Sequence, residues 1–200
     1  MTIQFYEHYL DVFYNVLFYP GRTFEALADD QAHVTKNKLL LQAALTVMFI
    51  SVIAPLVSLI YEGGDLKPLF IEVPLQAISG AFIWLIIGAV IGLLAYAFTG
   101  LARLQTLLIL TAFATLPWLF LGPATLLRIA LGTFGEYVHA GISLVLWLWT
   151  VLLFALAIMK TYRLSGEQVL IILIIPLVMS IIAFAWTAGF IMNIIRLIPS

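Results

Sequence analysis

The segment SGAFIWLIIGAVIGLLAYAFTG, Ser79–Gly100, contains no charged residue. About 20 apolar residues in a helix that rises 1.5 Å per residue cross the roughly 30 Å hydrocarbon core of a bilayer, so this segment predicts a transmembrane helix. The whole chain has the same character, because 64% of its residues are hydrophobic and 10% are charged. Charged residues make up about 25% of an ordinary soluble domain. The sequence therefore predicts an all-α integral membrane protein.

Five apolar runs of this kind occur along the chain, separated by polar or turn-rich segments. They are Leu39–Ile60, Val73–Phe98, Leu104–Leu121, His139–Met159 and Val169–Ile194. The third run is expected to stop at Gly122 and Pro123, before a short amphipathic piece or a re-entrant turn. We therefore divide the chain into an N-terminal region, residues 1–38, and a five-span transmembrane domain, residues 39–200.

The distribution of basic residues predicts the orientation in the membrane. Six lie on the N-terminal side of the predicted spans: Arg22, Lys36, Lys38, Arg103, Lys160 and Arg163. Three lie on the opposite side: Lys67, Arg128 and Arg196. Because cytoplasmic loops carry an excess of Lys and Arg, we expect a cytoplasmic N-terminus and a C-terminus on the other side of the membrane.

Charge and motif content narrow the classes of function. A net charge of −1 gives no electrostatic basis for binding nucleic acid, and the lack of cysteine excludes disulfides and cysteine metal sites. Every Asp, Glu, Lys and Arg falls in a loop or near the end of a predicted span, whereas proton relays and ion-coupled transport use such groups inside the membrane. The sequence has no phosphate-binding glycine loop and no nucleophile elbow. We expect no enzymatic activity, no cofactor and no metal.

The histidines are the remaining candidate ligands. His8 and His33 lie in the polar N-terminal region, and His139 lies at the edge of the fourth predicted span, three residues after Glu136. A structural or interfacial role is the favoured interpretation for each. Ligation of a pigment, haem or metal ion by His139 is the alternative.

The placement of glycine in the second span predicts a packing surface. Gly88 and Gly92 form a GxxxG pair, which allows a neighbouring helix to approach closely. A partner within the same chain is favoured over a second subunit, because a five-helix bundle needs close contacts of its own. Pro55, Pro117 and Pro176 fall in the first, third and fifth spans, where they predict local kinks.

The N-terminal region has the pattern of an amphipathic helix. Its apolar positions follow helical spacing: Tyr6, Tyr9, Leu10, Phe13, Val16 and Leu17. This helix is expected either at the membrane surface or packed on the cytoplasmic end of the bundle. Pro20 predicts a break and the start of a second short helix, since proline is favoured at the first helical position. Phe24 and Leu27 then share one face of that helix, and Glu25 lies where the helix dipole favours negative charge.

Several of these features together resemble the Yip1 domain family in its compact bacterial form. They are an aromatic helix, the segment PGRTFEAL that contains Pro20, Thr23 and Phe24, five spans, and the segment TLPWLFLGP that contains Pro117 and Trp118. The resemblance implies an all-helical protein of the bacterial inner membrane with a cytoplasmic N-terminus. Eukaryotic members act in early secretory traffic and contact lipid-anchored small GTPases. The sequence has no counterpart of their long polar N-terminal tail, so we do not extend GTPase binding to it.

Two hypotheses of function follow. The first is a non-enzymatic scaffold or accessory membrane protein, whose partners are membrane lipids and other membrane proteins, including a second copy of the chain. The second is a small transporter or channel-like protein with kinked helices along its path. The lack of charge inside the spans favours the first, as does the lack of an internal repeat of the kind that many transporters have.

Overall fold

The computed structural model describes residues 9–29, 33–61, 67–176 and 178. Within these residues every regular element is helical. The helices are α1 (Tyr9–Phe18), α2 (Pro20–Asp29), α3 (His33–Tyr61), α4 (Lys67–Thr99), α5 (Leu104–Ala114), a 3₁₀ helix (Leu116–Phe120), α6 (Leu121–Tyr162) and α7 (Gly166–Pro176). The prediction of an all-α fold is confirmed for the described part of the chain.

Three helical stretches in the described residues are long and apolar enough to cross a membrane: Lys36–Val57, Phe70–Thr99 and Leu104–Tyr162. The first two match the first two predicted spans to within a few residues. The third covers both the third and the fourth predicted spans. The fifth predicted span, Val169–Ile194, lies largely outside the described residues, and its described part is α7.

The stretch Leu104–Tyr162 reverses direction at Gly132. A straight helix of its 59 residues would be about 88 Å long, nearly three times the hydrocarbon thickness. Gly132 has φ 56° and ψ −131°, a backbone conformation that L side chains disfavour strongly. The two ends of the stretch lie together, because Arg103 Nη1 donates to the Thr161 carbonyl oxygen at 3.2 Å. Gly132 therefore separates two antiparallel arms.

The predicted end of the third span at Gly122 and Pro123 is wrong. α6 begins at Leu121 and continues through both residues. Pro123 lies in the first turn of α6, where a backbone N–H has no intrahelical acceptor to lose. Gly122 lies against α3, where an added Cβ would come within 3.1 Å of Ile53 Cγ2. The chain reverses later, at Gly132, inside the segment that was expected to be amphipathic or re-entrant.

The largest buried cluster joins the N-terminal helices to the apolar bundle. It contains Val16 and Phe24 from the N-terminal helices, together with Leu110, Phe113 and Leu153 from α5 and α6. α1 contacts both α5 and the 3₁₀ helix, and α2 contacts α5 and α6. The N-terminal helices therefore pack on the bundle itself, and the expectation that they lie at its cytoplasmic end stays a prediction.

α1 and α2 run along the bundle as well as covering its end. Asp29, the last residue of α2, lies beside Arg163 at the end where α5 begins and α6 ends. α1 contacts the 3₁₀ helix that begins at Leu116. Leu116 lies about 18 Å from the start of α5, measured along the α5 helix axis at 1.5 Å per residue. The buried face of α1 therefore lies well away from the end marked by Arg163.

Candidate functional site

Pro20 divides the N-terminal helices as the sequence predicts. α2 begins at Pro20, and the ring removes the backbone donor that would otherwise bond to Val16. Hydrogen bonds on either side keep the two helices close to one axis, since Tyr19 N donates to the Asn15 carbonyl at 2.8 Å and Thr23 N donates to the Tyr19 carbonyl at 3.1 Å. The result is one kinked helical unit, Tyr9–Asp29, which we name the N-terminal platform.

The inner face of the platform is fully buried. Phe24 has no exposed surface, and Leu27 and Ala28 are 5% and 8% exposed. Thr23 is 4% exposed and satisfies its hydroxyl within the helix, because Oγ1 donates to the Tyr19 carbonyl at 2.9 Å. A buried hydroxyl without such a partner would cost about 1–3 kcal/mol. The motif residues Thr23 and Phe24 thus lie against α5 and α6.

The outer face of the platform is aromatic and exposed. Tyr14, Phe18 and Tyr19 are 54%, 62% and 54% exposed. The Tyr14 and Phe18 rings pack on each other, with centroids 4.6 Å apart, which is within the range of attractive aromatic pairs. The platform therefore has a buried inner face and an exposed outer face, on which these aromatic side chains lie beside the charged residues Asp11 and Arg22.

Two ion pairs join the polar edge of the platform to the end of α6. Lys160 Nζ donates to Glu25 Oε2 at 2.6 Å, and Arg163 Nη2 donates to Asp29 Oδ1 at 3.3 Å. All four side chains are at least one-third exposed, so each pair contributes at most about 1 kcal/mol. They show the register of α2 along α6, because residues 25 and 29 meet residues 160 and 163 in the same order.

A polar cavity of about 250 Å³ lies where α2, α3, α5 and the end of α6 meet. Three cationic side chains line it, Lys36, Arg103 and Arg163, together with one carboxylate, Asp29. We name it the basic cavity. Its remaining lining residues are Ala28, Ala102, Gln105 and Thr106.

Pro117 and Trp118 lie in the 3₁₀ helix that follows α5. Pro117 is buried at its start, and Trp118 N donates to the Thr115 carbonyl at 3.0 Å. Trp118 also lines a second cavity, which is almost wholly apolar and shared with Ser51, Trp84 and Phe154. The 3₁₀ helix contacts α1 but not α2, so Pro117 and Trp118 lie apart from the platform motif of α2, which contains Pro20, Thr23 and Phe24. The structure therefore does not bring all the predicted site residues together.

The Yip1 domain family model matches residues 14–187. The chain belongs to the Yip1 domain family. The match begins inside α1 and includes the whole of α2, so the platform motif is part of the Yip1 domain. The search of curated proteins and the search of solved structures each found no match. Membership makes this chain an integral membrane protein of the Yip1 type, as the sequence resemblance indicated.

The glycine pair of this Yip1 domain faces α5. A Cβ at Gly88 would overlap the Leu108 side chain, and one at Gly92 would come within 2.8 Å of Leu104 Cδ1. Gly80, two turns earlier, lies against Ser51 of α3 so closely that a Cβ would overlap the hydroxyl. The sequence shows Gly80 eight residues before Gly88, a spacing that extends the predicted packing surface beyond the GxxxG pair, and the contact with Ser51 adds α3 to that surface.

Charged partners across the bundle were also missed. Sequence reasoning explained Glu25 by the helix dipole, whereas its carboxylate binds Lys160, 135 positions away. Glu136, the suggested neighbour of His139, lies 3.7 Å from Arg128 across the Gly132 reversal. In the described residues no group of three His, Cys, Asp or Glu side chains is arranged to hold a metal ion. His8 lies outside the described residues, and the structure describes no side chain for His33.

Proposed function

We propose that this Yip1 domain is a non-enzymatic scaffold or accessory protein of the membrane, in which the N-terminal platform presents its aromatic outer face to a partner membrane protein. The observation that carries the proposal is the two-sided platform. Phe24 is fully buried on one side, and Tyr14 and Phe18 are more than half exposed on the other. Aromatic side chains are enriched at the centres of protein interfaces, where they bury a large area with few rotatable bonds.

The proposal includes five membrane spans, a cytoplasmic N-terminus and a location in a bacterial inner membrane. The reversal at Gly132 supports a count of two crossings for Leu104–Tyr162, because the stretch begins and ends at the same side. With α3, α4 and the fifth predicted span, Val169–Ile194, the proposed total is five. Lys36, Arg103 and Arg163 line one cavity, which agrees with their assignment to one side of the membrane. Reporter fusions at both termini test the orientation, and a translocated N-terminal reporter would contradict it.

The transporter hypothesis receives less support from the cavities. The cavity between α3, α4 and the 3₁₀ helix has about 250 Å³ and is lined mainly by apolar side chains. Its described lining includes no Asp, Glu, Lys or Arg. Such a cavity suits an apolar side chain or acyl chain better than an ion.

The proposal is tested by purification of the tagged full chain in a mild detergent, followed by mass spectrometry. We expect a stoichiometric protein to co-purify with the wild type and to be lost from Tyr14→Ala/Phe18→Ala. The matched control is Phe82→Ala/Phe70→Ala, which removes two exposed aromatic side chains from α4 and should retain the partner. A protein that purifies alone in every case and moves a solute into liposomes would overturn the proposal in favour of the transporter.

A further inference from the structure

We propose that the basic cavity binds the phosphate group of an anionic phospholipid at the membrane interface. Lys36, Arg103 and Arg163 come from three separate places in the sequence and line one space of about 250 Å³. Asp29 is the single carboxylate of its lining. Three like charges brought together repel one another, and a bound anion converts that repulsion into charge-assisted hydrogen bonds.

The three cations retain donors for such a ligand. The guanidinium of Arg163 forms an ion pair with Asp29 at 3.3 Å, and that of Arg103 donates one hydrogen bond to the Thr161 carbonyl at 3.2 Å. A guanidinium carries five N–H donors, so both retain several. The side chain of Lys36 makes no ion pair or hydrogen bond to any residue in the described part of the chain. The planar fork of arginine matches the geometry of phosphate oxygens.

The position of the cavity favours a lipid headgroup as the source of the phosphate. Lys36 is the first residue of the candidate span Lys36–Val57, and Arg103 and Arg163 immediately flank Leu104–Tyr162. The ends of such spans lie at the level of the headgroups, where basic pockets between helices bind anionic lipids. A volume below the roughly 300–1,000 Å³ of sites for drug-sized ligands suits a small headgroup.

The backbone at Arg163 adds an independent reason to assign a role to its side chain. Arg163 ends α6 in the left-handed conformation, with φ 54°, a position at which glycine is usually preferred. Glycine there would relieve the backbone and remove the cation. Arg163→Gly removes a cavity cation, together with its ion pair to Asp29, and leaves the helix end in a favourable conformation, so a loss of lipid binding cannot be attributed to backbone strain.

The experiment measures lipid retention by native mass spectrometry on the full chain in detergent, with phosphatidylglycerol or phosphatidylcholine supplied in equal amounts. The inference rests on membrane insertion and does not depend on the scaffold proposal. We expect preferential retention of phosphatidylglycerol. Each charge-assisted hydrogen bond to the phosphate contributes a factor of about ten in affinity, so Lys36→Gln/Arg163→Gly should weaken retention of phosphatidylglycerol roughly 100-fold.

The matched control is Arg22→Gln/Lys38→Gln, which removes two cations from the same predicted side without changing the lining of the cavity. Its retention of phosphatidylglycerol should equal that of the wild type. The proposal would be overturned if both double variants lost phosphatidylglycerol to the same extent, or if the wild type retained the two lipids equally. A third arm adds inorganic phosphate or glycerol 3-phosphate at millimolar concentration. Displacement of phosphatidylglycerol by either would assign the cavity to a soluble phosphorylated ligand and overturn the lipid assignment.

Discussion

Glu25 Oε2 in α2 accepts a hydrogen bond from Lys160 Nζ in the last turn of α6, at a distance of 2.6 Å. The two residues are 135 positions apart in the sequence. One turn further along both helices, Asp29 and Arg163 repeat the same pairing of charges. These pairs join the N-terminal platform to the end of the bundle that we predict to be cytoplasmic, and their order shows the register of α2 along α6.

This relationship predicts a small coupling energy between the two side chains. In a double-mutant cycle of Glu25→Gln and Lys160→Gln, we expect a coupling of about 0.2–1 kcal/mol that falls as salt concentration rises, because the pair is partly exposed. The measurement is unfolding in mixed detergent micelles at two ionic strengths. A parallel cycle of Glu25→Gln with Lys38→Gln should give no coupling. A value near zero for the first cycle at low salt would contradict the contact.

Truncation of Phe24 should cost more free energy than loss of the Glu25–Lys160 pair, since the Phe24 side chain is fully buried in the cluster that joins the platform to the bundle. We expect Phe24→Ala to destabilise docking of the platform by about 3–5 kcal/mol through lost apolar burial and a residual cavity. Insertion of the spans should remain intact. Protease sensitivity of the segment between α2 and α3, measured in vesicles, reports the docking.

The control for Phe24 is Phe18→Ala, which truncates the same side chain at a position that is 62% exposed. Its effect on docking should stay within about 0.5 kcal/mol. Replacement of Pro20 by Ala should also weaken contacts of the platform by removing the break between α1 and α2. Failure of any of these variants to insert would show that the platform has a role in membrane integration instead.

The backbone conformation of Gly132 leads us to expect that only glycine is well tolerated at the reversal between the two arms. With φ 56° and ψ −131°, its backbone conformation should make Gly132→Ala cost about 1–3 kcal/mol. Gly141→Ala is the matched control, because Gly141 lies in α6 with nothing within 4 Å of an added Cβ. Thermal denaturation in detergent compares the two variants. Equal melting temperatures would show that the chain reverses elsewhere.

Gly88 and Gly92 allow α4 to lie close to α5, so we expect larger side chains at these positions to push the two helices apart. We expect Gly88→Leu and Gly92→Leu each to destabilise the bundle by about 1–3 kcal/mol through overpacking, since Leu108 and Leu104 occupy the space. Gly141→Leu should have little effect. Detergent unfolding measures stability, and size-exclusion chromatography follows assembly. A stable Gly88→Leu/Gly92→Leu protein with altered oligomeric state would instead place this surface between subunits.

The apolar stretches and the platform motif illustrate how much of this protein could be predicted from sequence. The spans at α3 and α4 were predictable because a helix of sufficient apolar length is a local property. The start of α2 at Pro20 was predictable for the same reason, since proline fixes φ and lacks a donor. Gly122 and Pro123 misled the prediction, because in isolation they signal a turn. The first turn of α6 and the contact with Ile53 accommodate both.

The sequence by itself determined the class of the protein, the helical state of its segments, most of its first two spans and its family. The class and the spans depend on the free energy of transferring apolar residues from water, which is set residue by residue, and the family was predictable from short motifs such as PGRTFEAL. Tertiary structure alone decided that Lys36, Arg103 and Arg163 share one cavity, that Glu25 meets Lys160 and that Gly88 faces Leu108. These relationships depend on which helix faces pack together and where Gly132 turns the chain back, and contacts of that kind join residues that no local pattern connects.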